Sequence, residues 1–205
     1  MDSKKSTLKK VLRIIAITSI SIFVILFVIG TVHTDRVEKT KKAVAKIHST
    51  KLTLDDVMGK SLPPDPGSEA DKTIQGIDAN KNNIRDDVEL AIFKEYPNSA
   101  KTRAVLLQYA LALQMEMTQD LVNEETVIAV AEQTSRGYLC IGKILSRNNM
   151  EKYTSESTKL REFIEMKQIN NLERENIQNG FYSNLTSGTI PSDNLCDIEF
   201  KFLLN

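Results

Sequence analysis

Between Gly76 and Glu89 the chain reads Gly-Ile-Asp-Ala-Asn-Lys-Asn-Asn-Ile-Arg-Asp-Asp-Val-Glu, its densest run of oxygen-bearing side chains. With Asp78 as position 1, Asn80 falls at 3, Asn82 at 5, Asp86 at 9 and Glu89 at 12, and the carbonyl of Ile84 stands at 7. At that spacing a tight loop turns alternate side chains inward around a hard cation, so the expected ligand set is Asp78, Asn80, Asn82, Ile84, Asp86 and Glu89, and the expected cofactor is a structural Ca2+. Asn83 takes the sixth position, where glycine is usual and asparagine tolerates a left-handed backbone. The bland alternative is an Asx-rich turn whose aspartates only cap the helix that follows.

The elements that must position this loop begin with a membrane anchor. Ile14 to Val32 is nineteen residues without a charge. As a helix it rises roughly 28 Å, close to the hydrocarbon thickness of a bilayer. Its serines and threonines are expected to bond back to carbonyls one turn earlier. Residues 1–13 hold Lys4, Lys5, Lys9, Lys10 and Arg13 against Asp2, a local charge of +4, and the first residues past the span are close to neutral. The positive-inside rule then predicts a cytoplasmic N-terminus and an extracytoplasmic C-terminal domain. A cleaved signal peptide is the rival, but the apolar run is long for one and no Ala-x-Ala site follows.

Thr34 to Ser49 reads as a polar stalk helix, and Leu62-Pro63-Pro64-Asp65-Pro66-Gly67 as a stiff extended connection. The expected organisation is a basic tail at 1–13, an anchor at 14–32, a stalk and linker at 33–61, and a helical domain at 62–205. Within that domain Asp86 or Asp87 is expected to cap a first helix running to about Lys94. Asn98 or Ser99 caps a second carrying Val105, Leu106, Tyr109, Leu113 and Met117. A third, from about Asn123, carries Val127 to Leu145, and Lys152 to Phe181 holds one or two more. Ile198 to Leu204 is left as a short strand or a docked tail. The fold class is all-α: a single transmembrane helix and stalk, then a small antiparallel bundle with an EF-hand-like loop at its entry.

Cys140 and Cys196 both fall on the extracytoplasmic side of this topology, where oxidation is favoured, so a disulfide is expected between them. Closing a loop of that length stabilises a fold by about 4 kcal/mol in the chain-entropy treatment. Residues 14–205 carry 22 basic against 26 acidic side chains, which argues against nucleic-acid binding. The two histidines, His33 and His48, flank the stalk and read as surface residues. No His-Glu-x-x-His, Gly-x-Ser-x-Gly or phosphate-cradling glycine loop occurs, and adjacent carboxylates such as Glu124 and Glu125 diverge on a helix. Asn184-Leu185-Thr186 matches a glycosylation acceptor by coincidence.

The Gly76 to Glu89 run, preceded by Leu62-Pro63-Pro64 and followed by a Gln108-Tyr109-Ala110 helix and a late cysteine, resembles a group of uncharacterised bacterial secreted or membrane-anchored proteins. The loop itself is similar to the calcium repeats of thrombospondin type 3 and dockerin modules and to EF-hand loops. Those repeats usually carry glycine where Asn83 stands and more aspartates. The first resemblance spans residues 62–196 loosely and implies a location; the second implies Asp78, Asn80, Asn82, Asp86 and Glu89 as ligands. The expected function is that of a membrane-tethered extracytoplasmic interaction protein, not an enzyme, with a protein partner in the cell envelope and an immunity- or inhibitor-type role as its concrete form. The alternative is an envelope hydrolase with a carboxylate-based site near the loop.

Overall fold

The computed structural model describes residues 2–186 and 194–203. Among them the chain forms seven α-helices: α1 (Asp2–Ser49), α2 (Leu54–Met58), α3 (Asp86–Glu95), α4 (Ala100–Thr118), α5 (Glu124–Ile141), α6 (Met150–Gln168) and α7 (Leu172–Ser183). Two short 3-10 turns, Gly67–Asp71 and Phe200–Phe202, complete the regular structure, and no strand occurs among the described residues. The all-α expectation holds.

Two compact units divide the chain, Met1–Lys42 and Ala43–Asn205. The first is the greater part of α1, a helix long and apolar enough to cross a membrane, whose side chains from Ile17 to Val32 are exposed. Within it the hydroxyls of Thr18 and Thr31 donate to the carbonyls of Ile15 and Val28, each at 2.9 Å, so these polar groups are satisfied inside the helix.

The second unit is built on α4. Apolar residues occur all round this helix, and nearly every side chain from Ala100 to Met117 is buried. A helix apolar on every side has to be enclosed, and α2, α3, α5, α6 and α7 all pack on it. The side-chain pairings give the directions. Gly137 of α5 lies against Tyr109, and Thr134 meets Glu116, so α4 and α5 run antiparallel. Tyr109 pairs with Glu165 and Gln114 with Gln168, so α6 runs parallel to α4 and antiparallel to α5. The α4/α5 approach depends on Gly137, where a Cβ would stand 3.0 Å from the Tyr109 Cα.

Helix boundaries follow the caps. Ser99 accepts from the Thr102 amide, Asn123 from Thr126, Asn149 from Lys152 and Asn171 from Arg174, each satisfying one of the orphan donors of a first turn. The start of α3 corrects the expectation that Asp86 or Asp87 caps it. Its N-cap is Arg85, with no side-chain capping bond, because both aspartates are engaged elsewhere. The third bundle helix also stops earlier than the apolar pattern implies, at Ile141, leaving Ile144 and Leu145 to pack from a turn.

Residues 43–49, expected as part of a solvated stalk, belong to the second unit with Ile47 buried in its core; Leu52 and Val57 just beyond are buried there too, while Leu54 is exposed. At the other end the segment from Asn194 to Leu203 docks on the bundle, with Leu203 buried and Ile198 and Phe200 packed against the core. Leu204, the last residue of the anticipated tail, lies outside the described residues.

Candidate functional site

The loop from Asp78 to Glu89 is held by its own side chains. Asp78 accepts from the amides of Asn82 at 3.1 Å and Asn83 at 2.9 Å, the Asn80 carbonyl oxygen from Asn82 at 3.3 Å, and the Asn82 carbonyl oxygen from Ile84 at 2.8 Å. These closures draw positions 1, 3 and 5 to one side of a turn. Lys81 and Asn83 take left-handed backbones, at φ 61° and 64°, as the sharp reversal at the sixth position requires.

Glu89, one turn into α3, is 1% exposed. Its Oε2 accepts from the Asn80 amide at 3.0 Å. Burial pushes its carboxyl up to about 7, opposed by the amides of Asn80 and Asn82 and reinforced by Asp56 and Asp86. The Asn82 amide nitrogen is buried beside this group without a hydrogen-bond partner of proper geometry. Asp86, fully buried, turns both carboxylate oxygens toward the Ala79 amide at 3.0 and 3.1 Å, and burial raises its carboxyl above the usual range.

Among the described residues no three His, Cys, Asp or Glu side chains are grouped to hold a metal ion. The donor set of the loop is mixed: Asp78, the amide oxygens of Asn80 and Asn82, the Ile84 carbonyl and Glu89. Asp86, at the ninth position, is occupied by the Ala79 amide, and calcium loops commonly reach that position through water. Glu89 meets the Asn80 amide where an ion would supply positive charge, and the Asn82 nitrogen beside it is buried without a well-aligned partner. In number and chemistry the residues fit a hard cation with neutral and anionic oxygens together.

What locks the loop to the bundle was not legible in the motif. Arg85 is fully buried. Its guanidinium pairs with Asp87 at 2.9 and 2.5 Å and donates to the Gln168 carbonyl at 3.0 Å, capping the end of α6. Gly76, at φ 67°, makes room for it, since a Cβ there would stand 2.8 Å from the Arg85 chain. Arg174 of α7, also fully buried, donates to the carbonyls of Ala70, Thr73 and Ile74 and pairs with Asp71 at 2.6 Å. The loop is thus fastened on both flanks by guanidinium groups.

A second polar node lies inside the bundle. Glu116 of α4, 2% exposed, accepts from Thr134 at 2.7 Å, Gln178 at 3.0 Å and Tyr182 at 3.1 Å. Burial raises its carboxyl above the usual range, and the three donors work against that rise. The sequence signal was a glutamate within the apolar Leu113–Met117 stretch. Cys140 and Cys196 are joined, with Cα atoms 5.2 Å apart. His48 lies 3.5 Å from Glu132, while His33 is exposed. No protein-family model, no curated protein and no solved structure matches the chain.

Proposed function

We propose that this chain is a membrane-tethered interaction module whose helical domain lies outside the cytoplasm, stiffened by a calcium ion in the Asp78–Glu89 loop. The observation that carries the reading is the Cys140–Cys196 disulfide in the unit that follows an apolar helix of membrane-spanning length. Disulfides persist in oxidising compartments, and the +4 charge of residues 1–13 favours retention of the N-terminus in the cytoplasm. Both arguments favour the periplasm or the cell exterior for residues 33–205.

The loop carboxylates are tied to backbone amides and to the Asn80 amide, and Glu116 is closed in by three neutral donors. That pattern supports a structural use of the ion over acid–base chemistry. A protein partner in the envelope follows from the tether and the modest domain size, and an immunity- or inhibitor-type role is its concrete form.

Single cysteines introduced at Ser3 and Ser68 in the full chain, on a Cys140→Ser and Cys196→Ser background, test the orientation in intact cells. An impermeant maleimide reagent is expected to label position 68 and leave position 3 untouched; the reverse pattern removes the reading. Affinity capture with the full chain in detergent, with calcium and with chelator, tests the partner. Recovery of no specific envelope protein in either condition counts against an interaction role.

A further inference from the structure

The docked segment after Asn194 is held by polar contacts that converge on one side chain. Arg136 of α5 donates twice to the Asn194 carbonyl, at 3.2 and 2.7 Å. Gln108 of α4 donates to the Leu195 carbonyl at 2.7 Å and accepts from the Asp197 amide at 2.9 Å, clasping the backbone on both sides of Cys196. The Asp197 carboxylate, 2% exposed, then joins three parts of the chain. Its Oδ1 meets Arg136 at 2.8 Å and Lys51 at 3.5 Å, and its Oδ2 accepts from the Leu52 amide at 3.1 Å. Lys51 and Leu52 lie in the short connection between α1 and α2, where the chain enters the bundle.

The segment is short, with Leu203 its one buried apolar side chain and Ile198 and Phe200 only partly buried against the core. A buried carboxylate is stable only while its donors stay in place. The covalent bond one residue away, from Cys196 to Cys140, keeps Asp197 within reach of them at no further cost in chain entropy. Cys140 is 1% exposed, whereas Cys196 is half-buried, so Cys196 is the more open of the two to an external thiol.

We propose that the Cys140–Cys196 bond is a redox-sensitive latch: intact, it seats Asp197 on Lys51 and Leu52 and closes the chain's entry into the bundle, and its reduction by a dithiol releases that entry. A thiolate of the dithiol attacks Cys196 Sγ, the S–S bond breaks, and Cys140 Sγ leaves as a thiolate that takes up a proton. The second thiol of the reductant then displaces Cys196, which is protonated, and the dithiol departs oxidised to its own disulfide. Two electrons and two protons are transferred in all. This inference is independent of whether the loop binds calcium.

Amide hydrogen exchange on the full chain in detergent micelles tests it, before and after dithiothreitol, with alkylation of both cysteines as the check on reduction. Exchange at Leu52 and its neighbours in residues 50–53 is expected to rise at least tenfold on reduction while residues 105–113 of α4 stay protected. Unchanged exchange at 50–53 in the reduced protein overturns the latch. An equal rise through α4 overturns it too, by making the disulfide a global stabiliser only. Asp197→Asn with the disulfide intact is expected to give the same local rise at Leu52, and no rise there removes Asp197 from the device.

Discussion

At φ 64° Asn83 occupies the left-handed region at the sharpest point of the loop, and its amide donates to Asp78. A side chain without a local hydrogen-bonding group is strained there, by about 1 kcal/mol or somewhat more. Asn83→Ala is therefore expected to lower unfolding stability by roughly that amount, while Asn83→Gly stays near neutral. Urea titrations of both variants in chelator check the pair, and equal stabilities would remove the backbone argument. Glu89 is the other decisive residue, because from the first turn of α3 its buried carboxylate reaches back to the Asn80 amide in the loop. If calcium binds as proposed, Glu89→Gln weakens it at least tenfold by calorimetry. A wild-type chain with no heat and no thermal shift at millimolar calcium ends that proposal.

Helices were the most legible level of the fold, and their local chemistry explains why. The Ser99 and Asn123 caps act within three residues, so their effect is written where it is exerted, whereas the Asn149 and Asn171 caps, no less local, went unread. The oxygen spacing of the loop was equally local. Arg85, Arg103, Arg136 and Arg174 were hidden, because each donates to a backbone carbonyl far away in the chain, and carbonyls leave no mark in a sequence. The packing of Leu52 and Val57 on the domain was legible, whereas Ile47 was hidden for a related reason: it stands too isolated for a helical stripe in the polar end of α1 but is buried by elements that follow much later. Two variants test the elements. Gly137→Ala improves helix propensity by about 1 kcal/mol, yet its Cβ would press on Tyr109, so net destabilisation is expected by denaturant titration. Arg174→Ala strips donors from the buried Ala70 carbonyl and from those of Thr73 and Ile74, and leaves Asp71 only the more distant Arg85 as a cation, with an expected loss of about 3 kcal/mol.

For the molecule as a whole, Glu116 links three helices through one carboxyl group: its own α4, Thr134 on α5, and Gln178 and Tyr182 on α7. Glu165 of α6 adds a second negative charge nearby and raises it further. The folded protein therefore binds this proton more tightly than the unfolded chain does. A carboxyl raised on folding contributes most below its unfolded value near 4.5, and that contribution is lost as pH climbs through the folded value. Wild-type stability is thus expected to fall across that window by an amount that Glu116→Gln does not show, since glutamine has no proton to lose. Urea unfolding of both chains from pH 4 to 8 reads this as a difference curve, in which Glu89 and Asp86, common to both proteins, cancel. A flat difference would mean that the donors of Thr134, Gln178 and Tyr182 offset burial completely. A curve of opposite slope would mean that they outweigh it, with the node holding a stable carboxylate at the centre of the bundle.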